Sequence, residues 1–271
     1  MNVNVEVLNK EKVMTTLPYY KPVGKEIEVF EHAYKNKISI LLKGPTGTGK
    51  SRFVEYMAAK LERPIYTVSC HEETSATDLI GRFIIKGAET VWQDGPLSLA
   101  VKDGAILYLD EISEARPDVI VAIHSLTDHR RELFIDKKAE IIRAKEGFML
   151  VASFNPGYQK SFKELKPSTK QRFASLAFNY PEEALETEII VSETGLEKDI
   201  AKKLVSIASK IRNLKELGLS ETASTRLLVN AAMLIHSGLP KRLSVKTAIV
   251  EPLTDDLEIT AALEDMCNLL I

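Results

Sequence analysis

The chain has 271 residues, 45% hydrophobic and 27% charged, with 36 Lys and Arg against 38 Asp and Glu. That length holds one large domain or two moderate ones with a substantial core. A net charge near -2 lacks the basic excess of a nucleic-acid protein, and no apolar run approaches a membrane span.

Two cysteines, Cys70 and Cys267, lie far apart and match no metal or redox spacing. They read as unpaired buried thiols. The opening Met1-Asn2-Val3-Asn4 lacks the basic and apolar regions of a secretory signal, so a cytoplasmic protein is expected. In chain order, residues 38–42 (ISILL) form a first strand that runs into a glycine-rich segment. A helix follows over 52–61, with Phe53, Val54, Met57, Ala58 and Leu61 on one face. Residues 65–69 form a second strand, and 83–92 a hairpin turning at 86–89. A third strand over 105–109 is continuously apolar, as a buried parallel strand is. A second hairpin spans 133–142 and turns around 136–138. The fourth and fifth strands are expected over 148–154 and 175–178. Strands that alternate with helices predict an α/β domain with a parallel five-stranded sheet.

After Tyr180-Pro181 the strand signals stop. Ile200, Leu204, Ile207, Ala208 and Ile211 share one helical face, and Leu227, Leu228, Ala231 and Ile235 another. Asp255 or Asp256 is positioned to cap a last helix carrying Ile259, Ala262, Met266 and Leu269. The boundary is therefore set at 181, with a small all-helical domain over 182–271. From Thr247 onward there is no Lys or Arg but six acids, Glu251, Asp255, Asp256, Glu258, Glu264 and Asp265. They read as a solvated face or a partner surface.

Gly44, Pro45, Thr46, Gly47, Thr48, Gly49, Lys50 and Ser51 match G-x-x-x-x-G-K-[ST]. Glycines let the backbone curl so that successive N–H groups face phosphate oxygens, and the following helix adds its positive end. Lys50 is expected to reach the β- and γ-phosphates of ATP, and the Ser51 hydroxyl to ligate Mg²⁺. The third strand ends in Asp110 and Glu111. Two carboxylates at the end of a buried strand are costly unless they bind something, and ligand crevices of open α/β sheets lie there. Asp110 is assigned to the Mg²⁺ shell through water, and Glu111 to orienting and deprotonating the attacking water. Asn155, after the fourth strand, is placed to donate to the γ-phosphate or that water. A turn-forming Asn-Pro is the plainer account, and both can hold.

The phosphate loop, the Asp-Glu strand end, a polar residue on the next strand and a helical tail together resemble an AAA+ ATPase. The resemblance is specific to the MoxR branch and, within it, to the CbbQ, NorQ and NirQ proteins. It is carried by Trp92-Gln93-Asp94-Gly95-Pro96-Leu97, Leu126-Thr127-Asp128-His129-Arg130-Arg131, Asn155-Pro156-Gly157-Tyr158-Gln159, Ser168-Thr169-Lys170-Gln171-Arg172-Phe173, Ser224-Thr225-Arg226-Leu227-Leu228 and Pro252-Leu253-Thr254-Asp255-Asp256. It implies a P-loop AAA+ core over 19–181 and a helical lid over 182–271, with residues 1–18 as an extension outside it. It also implies Arg172 as the arginine finger of a neighbouring subunit and Arg226 as sensor 2. A surface ion pair is the alternative for Arg172, and a lid–core ion pair for Arg226. The two hairpins resemble the helix-2 and pre-sensor-1 inserts of this branch, whose Phe83, Trp92 and Phe134 either pack the hairpins or grip a substrate. The family pattern carries Asn, which could modulate Glu111, where this chain has His71; His could replace it as a donor with pH sensitivity, and a capped turn is the plainer reading.

By resemblance the function is a hexameric ATPase that remodels a target enzyme through a von Willebrand factor A (VWA) adaptor of the CbbO/NorD kind. The first reading of the target is Rubisco, freed from inhibitory sugar phosphates. The alternative is a denitrification enzyme such as nitric oxide reductase. A gas-vesicle assembly ATPase, a nucleic-acid motor and a small-molecule kinase are the lesser rivals. No nucleic-acid partner and no direct membrane insertion are expected.

Overall fold

The computed structural model describes residues 17–156, 165–214, 219 and 222–271. Residues 1–16 of the expected extension, and Gly157, Tyr158 and Gln159 of the quoted stretch, lie outside the described residues. The chain divides into two compact units.

The first unit holds the described residues up to Lys43, then Lys50–Asn155, then those up to Ala177. Its elements in order are α1 (Glu26–Lys35), β1 (Ile40–Lys43), α2 (Lys50–Lys60), β2 (Ile65–Ser69), α3 (Ala76–Ile80), β3 (Gly81–Lys86), β4 (Glu89–Asp94) and α4 (Pro96–Asp103). They continue with β5 (Ile106–Asp110), α5 (Pro117–Ile123), β6 (Glu132–Ile135), β7 (Glu140–Arg143), β8 (Met149–Phe154), α6 (Pro167–Lys170) and β9 (Ala174–Ala177). Five strands form one parallel sheet in the order β2-β5-β8-β1-β9. The continuously apolar runs take the middle: β8 is buried throughout and β5 up to Leu109. Mixed runs take the edges, where only one face is covered, as in β2 and β9.

Both expected hairpins form. β3 pairs antiparallel with β4, Phe83 opposite Trp92 and Lys86 opposite Glu89. β6 pairs with β7, Phe134 opposite Ile141. Trp92 packs against the core and donates its indole N–H to Asp94. Phe83 stacks edge-on upon it at 5.0 Å but stays half-exposed, as does Phe134.

Several element ends move from expectation. The first strand begins at Ile40, because Ile38 N–H is taken by the Ala33 carbonyl in the turn after α1. The helix after the loop begins at Lys50, which puts the last two motif residues in its first turn. The fifth strand begins one residue early, since Ala174 N–H already bonds Ser39 O at 2.9 Å.

The second unit holds Gly44–Gly49 and Phe178–Ile271. Its helices are α7 (Glu183–Thr194), α8 (Lys198–Asn213), α9 (Thr225–His236), α10 (Lys241–Val245) and α11 (Leu257–Asn268). Leu204, Ile207, Ala208 and Ile211 of α8 meet Leu228, Ala231 and Ile235 of α9 in one apolar core. Asp256 is the cap of α11, accepting from Glu258 and Ile259 N–H. The expected face of that helix is corrected. Leu263 and Cys267 are buried, whereas Ala262 is exposed and Leu269 is 87% exposed. Residues 259, 263, 266, 267 and 270 form the continuous stripe at helical spacing, rotated from the face expected.

Both cysteines are free and buried. Of the six C-terminal acids, five are exposed, and Glu264 bonds Lys246 at 2.8 Å. Among the described residues no helix is long and apolar enough to cross a membrane.

Candidate functional site

The loop Gly44–Gly49 takes a backbone path that side chains would obstruct. Gly47 has φ of 74°, and a Cβ there would lie 2.5 Å from Ser224 Cβ. Gly49 has φ of 88°, a left-handed conformation that glycine adopts without strain. Within the loop Thr48 Oγ1 donates to Pro45 O at 2.9 Å. Tyr180 donates its hydroxyl proton to Thr46 O at 3.2 Å. Ser224 caps α9, its Oγ accepting from Leu227 N–H. The cap sets Arg226 in the first helical turn, its Cβ 3.5 Å from where a Gly47 Cβ would stand. Arg226 is exposed and makes no ion pair among the described residues.

In the first unit, Lys43, Asp110 and Phe154 end three neighbouring strands at one edge, with Lys43 in register with Phe154. Lys50 and Ser51 open α2, and Lys50 is buried, 6% exposed. Ser51 Oγ lies 3.3 Å from Asp110 Oδ2 and 3.2 Å from the Tyr108 hydroxyl. The Asp110 Oδ1 atom accepts from Tyr108 at 2.7 Å and from Ser153 Oγ at 2.5 Å. Ser153 Oγ in turn accepts Glu111 N–H at 3.1 Å.

Glu111 sits at φ 53°, ψ 49°, a left-handed backbone unusual for a non-glycine residue. Such strain persists only where the surroundings over-determine it; here β5 ends and the chain turns sharply. Burial pushes the Glu111 carboxyl above its usual value, with Asp110 and Glu114 adding to the rise. Lys50 and the Asn155 backbone N–H oppose it. The structure thus gathers Lys50, Ser51, Asp110, Glu111 and Asn155.

Arg172 is engaged elsewhere in the first unit. Its Nη1 lies 3.4 Å from both Asp128 Oδ2 and the His124 carbonyl. His71 forms the capped turn: its Nδ1 accepts from Glu73 N–H and its N–H bonds Thr74 Oγ1.

Two polar residues of the cluster escape a motif reading. Tyr108 sits inside an apolar strand, and Ser153 is the last residue but one of another. The only sequence signal is parity: each lies two residues before Asp110 or Asn155, hence on the same strand face. Among the described residues no group of three or more His, Cys, Asp or Glu could hold a metal on its own. A cation here would need hydroxyl and phosphate oxygens beside Asp110.

A profile of the AAA domain (dynein-related subfamily) matches residues 39–173, and the CbbQ/NirQ/NorQ C-terminal profile matches 186–270. The chain is 53% identical over 263 residues to protein NorQ of Paracoccus denitrificans, covering 97% of each. It is 52% identical over 256 residues to protein CbbQ of Hydrogenophilus thermoluteolus, covering 94% of this chain and 96% of that one. It is 50% identical over 252 residues to the denitrification regulatory protein NirQ of Pseudomonas aeruginosa, covering 93% and 97%. A solved structure of Thermotoga maritima RuvB, a Holliday junction branch migration motor, matches with a TM-score of 0.53 and 16% identity. It spans 90% of this chain and 68% of that one, a likeness of fold alone. The near-equal identities to NorQ, CbbQ and NirQ remove the preference for a Rubisco role expected from the sequence. The chain belongs to the CbbQ/NirQ/NorQ family of AAA+ ATPases.

Proposed function

We propose that this ATPase assembles into a ring, a hexamer by family resemblance, and spends ATP on remodelling a target enzyme through a VWA-domain adaptor. The gathering of Lys50, Ser51, Asp110 and Glu111 carries the hydrolytic part of this reading. The loop Gly44–Ser51 cradles the phosphates with backbone N–H groups, and Lys50 holds the β- and γ-phosphates. Ser51 Oγ and the Asp110 carboxylate are an oxygen-only pair, 3.3 Å apart, that fits a hard divalent cation, Asp110 through water. Magnesium bound there would neutralise charge on the β- and γ-phosphate oxygens.

Glu111 takes a proton from water as the water oxygen bonds the γ-phosphorus and the bond to the ADP oxygen breaks. Burial raises its affinity for protons, the direction that makes a carboxylate a stronger base. Asn155 donates its amide to the γ-phosphate or the attacking water. Arg226 supplies a cation from the helical domain over 182–271, and Arg172 one from the neighbouring subunit. An arginine in that role is worth roughly 10³ to 10⁵ in rate.

Mixed rings test the shared site. Lys50→Ala and Arg172→Ala subunits, each inactive alone, are expected to regain ATPase activity when mixed, because some sites then combine an intact Lys50 with an intact Arg172. No recovery overturns the shared site. The target is tested with the cognate adaptor and ATP on two substrates, sugar-phosphate-inhibited Rubisco and immature nitric oxide reductase. Activation of one assigns the target. Activation of neither counts against enzyme remodelling.

A further inference from the structure

Tyr108 lies in the middle of the sheet, 1% exposed, on the strand face that also carries Asp110. A phenylalanine would fill the same volume. Burying a phenol hydroxyl is unfavourable unless it finds partners, and here its partners include, beside Ser153, the two residues read above as the magnesium pair. The phenol has one proton to give and lone pairs to accept with. It donates to Asp110 Oδ1 at 2.7 Å, so toward Ser51 Oγ, at 3.2 Å, it acts as acceptor.

Two consequences follow for the carboxylate and the serine. Asp110 Oδ1 is held by two hydroxyls, Tyr108 and Ser153, which fixes the rotation of the group and turns Oδ2 toward Ser51. A serine that offers an oxygen lone pair to a cation must send its proton elsewhere. The acceptors beside Ser51 Oγ are Asp110 Oδ2 and the Tyr108 oxygen.

We propose that Tyr108 is a positioning residue for the magnesium side of the phosphate site, orienting the Ser51 hydroxyl and the Asp110 carboxylate through its own hydroxyl. This rests on the reading of Ser51 and Asp110 as the magnesium pair.

The test is binding of a fluorescent ATP analogue to the full chain, first in EDTA and then along a magnesium titration. Tyr108→Phe keeps the ring and removes the hydroxyl. Its affinity in EDTA is expected to stay within about twofold of wild type, while the magnesium needed for half-maximal effect rises about two- to tenfold, the equivalent of one hydrogen bond. Ser153→Ala removes the second hydroxyl on Oδ1 and is expected to move the magnesium requirement the same way; no shift there counts against the clamp. Ser51→Ala is the control for the underlying reading. If Ser51→Ala raises the requirement and Tyr108→Phe does not, the proposal falls and the magnesium pair stands. If Tyr108→Phe weakens binding equally with and without magnesium, the tyrosine is only a packing element and the proposal falls. If Ser51→Ala leaves the requirement unchanged, the magnesium pair itself is wrong.

Discussion

Replacing Arg212 with Met probes the polar centre of the helical unit. Arg212 Nη1 and Nη2 donate to the two Glu186 oxygens at 2.8 and 2.7 Å, and Nε donates to Ala223 O at 2.8 Å. The guanidinium carbon also sits 4.0 Å from the centre of the Tyr180 ring. Glu186 is fully buried and Arg212 is 15% exposed, so water does not screen the pair. Methionine preserves most of the stem but leaves the Glu186 carboxylate with the Thr225 hydroxyl, at 2.6 Å, as its remaining side-chain donor. Removing one member of a buried ion pair costs about 3–5 kcal/mol, and the lost ring contact adds on the order of 1 kcal/mol. Urea unfolding followed by far-ultraviolet circular dichroism reads this out. The two together are about 4–6 kcal/mol, so with a slope of about 2 kcal/mol per molar the midpoint of the helical unit falls by about 2–3 M. Pairing Arg212→Met with Glu186→Leu is expected to recover at least half of the loss, since no charge then remains buried. A loss below about 1 kcal/mol, the scale of an exposed pair, would refute the idea that this guanidinium is desolvated.

Three further outcomes concern the nucleotide site. Glu111→Gln is expected to bind ATP with unchanged affinity and to lower turnover by about 10² to 10⁴, the usual contribution of a positioned base, as measured by phosphate release. Lys50→Ala should instead weaken ATP binding itself, seen by equilibrium titration. The third is a pH effect. Burial raises the Glu111 carboxyl above its unfolded value, so its stabilising contribution is complete below the unfolded value and is lost as pH rises through the raised one. Glu111→Gln should therefore raise the melting temperature of the nucleotide-free chain at pH 7, and the gain should vanish in acid. Wild-type turnover should fall on acidification at a pH above the ordinary carboxylate range, as the base is protonated.

The candidate phosphate loop was legible as a motif because it sits in eight consecutive residues, where glycine spacing, Lys50 and Ser51 match one pattern. The Asp110-Glu111 strand end was legible for a related reason: an apolar run that stops at two acids is costly without a ligand. Both hairpins were legible because residues 87–88 and 136–138 break β patterns at hairpin spacing. The face of α11 was not, because Ala262 and Leu269 are apolar yet sit off the stripe that Leu263 and Cys267 complete.

The type of domain and the ATPase class were readable from the sequence, and so were the residues proposed for the phosphate loop, since each is written in a contiguous motif or in a simple apolar period. Tertiary structure alone decided which buried hydroxyls reach Asp110 and which acid receives Arg212. Tyr108 and Ser153 are 45 positions apart, and Glu186 and Arg212 are 26 apart. No local pattern marks such pairs. They meet because parallel strands set β5 beside β8 in register and because α7 and α8 pack side by side in the helical core, where an unpartnered polar group is too costly to leave.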